Sequence, residues 1–172
     1  YEFKTYPFIK KDYLDFRIFD KSEKILPPEM KVIRYLGPVF QMVWLLMGFE
    51  EFSYKLAEDP DLVKAVWEKV FELVYAEYED TIKRDVVGAI WYVDDIAIKD
   101  RLMVSPALLR DQFFPRLKLI SEGCKSRRIP LIYHTDGDIT KVLDDIIAAG
   151  VNAIHPIDPT GLDIYRFKPM VL

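Results

Sequence analysis

The sequence is poor in cysteine and histidine and has no surplus of positive charge, and each shortage removes a class of function. Cys124 is the single cysteine among 172 residues. One thiol builds no internal disulfide framework, and such usage fits a reducing, cytoplasmic setting. The 24 Lys and Arg stand against 28 Asp and Glu, a net charge of −4. A dedicated nucleic-acid binder needs a basic face to replace counterions on phosphates, so that class is disfavoured. Long hydrophobic runs are missing too. The longest apolar stretch, residues 43–48 with 36–39 before it, is interrupted by Pro38 and Gln41. It falls short of the about 20 residues that cross a bilayer. Neither a membrane nor a nucleic acid is therefore an expected partner. Also absent are a GxGxxG or GxxxxGK[ST] loop, a GxSxG elbow, HExxH and CxxC, which removes the standard signatures of nucleotide binding, serine hydrolysis and zinc proteolysis. No basic-then-apolar signal opens the chain, and Tyr1-Glu2-Phe3-Lys4 lacks an initiator methionine. A trimmed start, or a piece of a longer protein, is the expectation.

What is present suits a globular domain. Apolar residues make up 51% and charged residues 30%, enough to bury a sizeable core. Residues 1–30 read as an N-terminal arm or lid: aromatics (Phe3, Tyr6, Phe8, Tyr13, Phe16, Phe19) mix with charges without a sustained period. Lys21-Ser22-Glu23-Lys24 before Pro27-Pro28 reads as a loop, since the prolines remove donors and fix φ.

Residues 31–172 form a second region with a different texture. Val32, Ile33, Tyr35 and Leu36 are a β-prone run ending at Gly37-Pro38. An apolar helix stopping near Gly48 and a short helix over 49–57 follow. Asp59-Pro60 starts a long amphipathic helix, with Asp59 as N-cap, running to about Lys83. Residues 89–93 are continuously apolar, as in a strand covered on both faces. Ser105-Pro106 opens a helix that Pro115 kinks. Residues 130–133 form the next strand. Asp138 caps a helix with the stripe Ile139, Val142, Leu143, Ile146 and Ile147, which Gly150 stops. A last strand covers 151–154. The alternation predicts an α/β domain with a parallel sheet.

Parallel sheets carry function at the carboxyl ends of their strands. Here those ends are Asp94-Asp95, His134-Thr135-Asp136-Gly137 and His155-Pro156, so both histidines of the chain sit at strand tips. Asp94 and Asp95 are adjacent and point to opposite faces. One enters the mouth of the sheet while the other caps a loop or faces the helices. His134 and Asp136, two residues apart, can face one cavity. There they share a divalent metal, act as a hydrogen-bonded acid/base pair, or serve as plain turn chemistry around Asp136-Gly137. His155 reaches the cavity from the neighbouring strand or braces its loop. Cys124 falls on an apolar helical stripe and belongs to the core.

At these residues the chain resembles the uroporphyrinogen decarboxylase superfamily, over residues 32–164. The matching pieces are Gly37-Pro38 with Met47-Gly48-Phe49-Glu50, then Glu58-Asp59-Pro60-Asp61-Leu62-Val63, Asp94-Asp95, Ser105-Pro106 and Pro115. His134-Thr135-Asp136-Gly137-Asp138 and Gly150-Val151-Asn152-Ala153-Ile154-His155-Pro156-Ile157 complete the set. The resemblance implies a TIM-barrel-like fold. A closed barrel takes around 250 residues and only about four strands are countable, so an incomplete barrel is expected. Such a half-barrel exposes edges and invites a homodimer. In the decarboxylases a tyrosine that touches the porphyrinogen matches Trp44 here, and their arginine-rich N-terminal motif has no counterpart. In the zinc- and corrinoid-dependent methyltransferases, His-x-Cys supplies two zinc ligands. His134 matches the histidine, and Asp136 replaces the cysteine.

The leading expectation is corrinoid-linked methyl transfer by an enzyme of the methyltransferase-like branch. Zinc is its possible metal, at His134 and Asp136, and a corrinoid protein carries the methyl group. Catalytic candidates are His134, Asp136, Asp94 and Asp95; substrate contacts are Trp44, His155 and Gly137. The alternatives are porphyrinogen decarboxylation without a cofactor and a non-catalytic truncated binding module.

Overall fold

Short apolar segments bounded by Gly, Pro and Asp become parallel strands because each can bury one face under a helix. The computed structural model describes residues 15–159 and 161–165. Phe3, Tyr6, Phe8 and Tyr13 of the expected arm lie outside them. Strands β1 (Val32–Leu36), β2 (Val87–Val93), β5 (Leu131–His134) and β6 (Ala153–His155) form one parallel sheet in the order β1-β2-β5-β6. Helices α2 (Phe40–Met47), α3 (Phe49–Glu58) and α4 (Pro60–Thr81) join β1 to β2. A short helix α5 (Pro106–Leu108), a π-helical turn (Leu109–Phe113) and α6 (Phe114–Ser126) join β2 to β5. A 3-10 turn (Thr140–Val142) and α7 (Leu143–Ala148) join β5 to β6. A small antiparallel hairpin, β3 (Ala97–Ile98) with β4 (Arg101–Leu102), follows β2.

Strand order in the sheet follows chain order and never reverses. A doubly wound sheet reverses at a switch point, whereas a barrel wall winds in one direction. The α/β, TIM-barrel-like reading therefore holds, as an open arc of four strands. Side chains alternate across that arc. Ile90, Tyr92, Leu131 and Tyr133 join the core with Val66, Trp67, Phe113, Leu117 and Ile120 from the helices. On the other face Ile33 and Tyr35 are exposed, while Trp91 and His134 are half-buried.

The start signals act as expected. Asp59 accepts from the Leu62 amide at 3.2 Å, and Ser105 accepts from that of Leu108 at 3.2 Å. The disturbance expected at Pro115 takes the form of the wide π turn just before it. Proline has no N–H to close the ladder, and a wider turn clears its ring from the preceding carbonyl.

Three local expectations are corrected. Lys21-Ser22-Glu23-Lys24 lies inside α1 (Arg17–Ile25) rather than in a loop; Phe19 is buried in the core and anchors the turn. Asp138 does not cap an α-helix. Its carboxylate accepts from the amide and hydroxyl of Thr140 at 2.9 and 2.6 Å, and α7 begins only at Leu143. Ile147 leaves the apolar stripe and is exposed, because the 3-10 turn shifts the helical phase. Cys124 is core as expected, and burial pushes its thiol up to about 11. No helix among the described residues is long and apolar enough to cross a membrane.

Candidate metal centre

The sheet register brings the strand tips together. Val93 is paired with His134, and His134 with His155. The ladder continues past the strands, with the Asp94 amide donating to the His134 carbonyl and the Thr135 amide to that of His155, both at 3.0 Å. Residues distant in sequence thus share one edge of the arc.

The two adjacent aspartates separate sharply. Asp94 is fully buried. Its Oδ2 accepts from the amides of Val39 and Phe40 at 2.9 and 2.7 Å and from the Tyr92 hydroxyl at 3.1 Å; its Oδ1 accepts from the Gln41 amide at 2.9 Å. The carboxylate therefore sits on the N-terminus of α2, where unpaired N–H groups and the helix dipole favour negative charge. Burial pushes its carboxyl up to about 6, against the pull of those donors.

Asp95 points the other way, into the mouth. Its Oδ2 accepts from Gln41 Nε2 and its Oδ1 from the Asp136 amide, both at 3.0 Å. His134 Nε2 lies 3.7 Å from Asp95 Oδ1. On the far side of its ring, His134 Nδ1 meets His155 Nδ1 at 2.8 Å. Trp91 makes T-shaped contacts with both imidazoles, with centroids 5.7 and 5.4 Å away.

Asp95, His134 and Asp136 can each offer one ligand atom, all within 4.8 Å of one another. Two carboxylate oxygens and one imidazole nitrogen form a donor set that fits a divalent cation, and the two negative charges balance its own. The set is harder than a thiolate site. Sequence reasoning found His134 and Asp136 and left Asp95 level with Asp94. It missed Gln41 and Trp91. The signal for Gln41 was its place as the one polar residue in the apolar segment FQMVWLLM.

Two expected substrate contacts, Trp44 and Gly137, supply none of the three ligand atoms. Trp44 is half-buried on α2 with its ring edge-on to Phe49 at 5.7 Å. Its indole nitrogen has no hydrogen-bond partner among the described residues. Gly137 is buried, with a φ of +79°, and a Cβ there would meet Ile98 N at 2.7 Å and Ala97 C at 2.9 Å. It seats the loop against the β3–β4 hairpin. Gly137→Ala is expected to cost about 2 kcal/mol or more from the left-handed backbone and the contact with main-chain atoms. Urea denaturation checks this; a midpoint equal to wild type would show that the loop gives way freely.

Residues 18–164 match the family model for uroporphyrinogen decarboxylase (URO-D). A methyltransferase from Methanosarcina mazei has a similar structure, with a TM-score of 0.63 and 18% sequence identity over 80% of this chain. The match covers 39% of that neighbour's chain, so this chain spans about two-fifths of its length. No curated protein sequence matches. The family match covers most of the chain and includes every strand tip of the cluster: the chain belongs to the uroporphyrinogen decarboxylase family.

Proposed function

We propose that the chain carries the cation-binding part of an enzyme of methyl transfer, with Asp95, His134 and Asp136 as ligands and zinc as the cation. The single observation behind this reading is the approach of their three ligand atoms to within 4.8 Å. The methyltransferase named among the structural neighbours supports the same branch. When bound, the cation would supply Lewis acidity, polarising the oxygen or nitrogen of the methyl donor so that it leaves more easily.

The protein's own side chains do the rest. Gln41 and the Asp136 amide orient the Asp95 carboxylate through one hydrogen bond to each oxygen. Trp91 packs against His134 and limits its tilt. With Asp136 in place of a thiolate the site is harder, which favours an oxygen or nitrogen methyl donor over thiol chemistry. A corrinoid held by a partner protein would serve as the methyl carrier, and the free buried thiol of Cys124 supports a reducing, cytoplasmic setting.

Metal analysis of the purified chain tests this reading. About one zinc per chain, lost on chelation together with methyl transfer to a corrinoid, is the expected result. Turnover of a porphyrinogen with no bound metal would replace this reading with decarboxylation. Neither metal nor turnover would leave a non-catalytic binding module.

A further inference from the structure

The contact between the two imidazoles constrains which nitrogen of His134 is free. At 2.8 Å between Nδ1 atoms, one ring must donate its N–H and the other must accept on a lone pair. Two N–H groups, or two lone pairs, would repel at that distance. The other nitrogen of His134, Nε2, is the one on the carboxylate side, 3.7 Å from Asp95 Oδ1. That separation exceeds a hydrogen bond, and Asp95 Oδ1 already accepts from the Asp136 amide. A cation among the three donors needs the Nε2 lone pair, so the neutral His134 ring must carry its proton on Nδ1.

We propose that His155 is the positioning residue that holds His134 in its Nδ1–H tautomer, accepting that proton on its own Nδ1 and so presenting His134 Nε2 as the ligand atom. This rests on the reading of His134 as a cation ligand and goes beyond it by fixing the ligand atom and assigning His155 its task. The strand register, not the following loop, brings His155 into place. His134 and His155 are direct partners in the parallel pair, and the Thr135 amide donates to the His155 carbonyl. Trp91, in T-shaped contact with both rings, keeps them facing one another. Without an acceptor at Nδ1, the Asp95 carboxylate draws the proton of His134 to Nε2. The lone pair then points away from the site.

The chain has two histidines, so nitrogen-15 NMR of histidine-labelled protein reads both rings, and His155→Asn assigns them. The expected result in the cation-free protein is a protonated Nδ1 on His134. His155→Asn keeps that state, because the asparagine oxygen can stand where Nδ1 accepted, whereas His155→Ala loses it. Zinc titration by calorimetry gives the second readout. His155→Ala weakens binding roughly 10–100-fold, the usual effect of losing the partner of a ligand histidine, and His155→Asn restores it to near wild type. A wild-type His134 protonated on Nε2, or zinc affinity unchanged in His155→Ala, would overturn the proposal while leaving the cation site standing. Failure of the wild-type chain to bind zinc would instead overturn the cation reading, and with it the ligand role of His134.

Discussion

His134→Ala is expected to abolish turnover and to weaken zinc binding by at least about 100-fold, because removing a ligand must cost more than removing the partner that orients one. The fold should survive. His134 lies at the end of β5 with a side chain 19% exposed, on the face opposite the core residues Leu131 and Tyr133. Truncation loses its edge contact with Trp91 and its bond to His155, worth about 1 kcal/mol for partly exposed groups. Circular dichroism and urea midpoints measure the second effect, and calorimetry with a methyl-transfer assay measures the first. Unchanged turnover in a folded variant would remove His134 from the chemistry.

The other large effect falls on stability and separates neighbouring residues. Asp94→Ala is expected to destabilise the protein by about 3 kcal/mol or more. The substitution strands three amides at the start of α2 and the Tyr92 hydroxyl, and each buried donor left unpaired costs about 1–3 kcal/mol. The sum is reduced because burying the carboxylate is itself costly, the same burial that pushes its carboxyl up to about 6. Against a typical total of about 5–15 kcal/mol, the loss moves the urea midpoint substantially at constant slope. Asp95→Ala should behave in the opposite way. It gives up two hydrogen bonds at a partly exposed group, about 1 kcal/mol of stability, and loses most of the cation affinity. A stable Asp94→Ala protein that binds no zinc would exchange the two roles.

How much of this was legible in the sequence depends on how local each determinant is. The capped start at Asp59-Pro60 and the stop at Gly48 act through groups within a few residues, and both stand where pattern and composition put them. Lys21-Ser22-Glu23-Lys24 did not, because its helix depends on Phe19 finding a core that the segment itself does not contain. The π turn before Pro115 is a third kind: proline announces a disturbance without specifying its form.

The one-dimensional pattern determined the alternation of strand and helix, hence a parallel sheet, and put His134, His155 and the Asp94-Asp95 pair at strand tips. Tertiary structure alone decided which aspartate is buried against α2 and which lies beside His134 and Asp136. Strand alternation sends neighbouring side chains to opposite faces but is blind to which face is covered. That choice was made where the start of α2 settled over Asp94, leaving Gln41 and Asp136 to hold Asp95. The meeting of His134 with His155 depended likewise on register across β5 and β6, a pairing between residues 21 apart that no local spacing encodes.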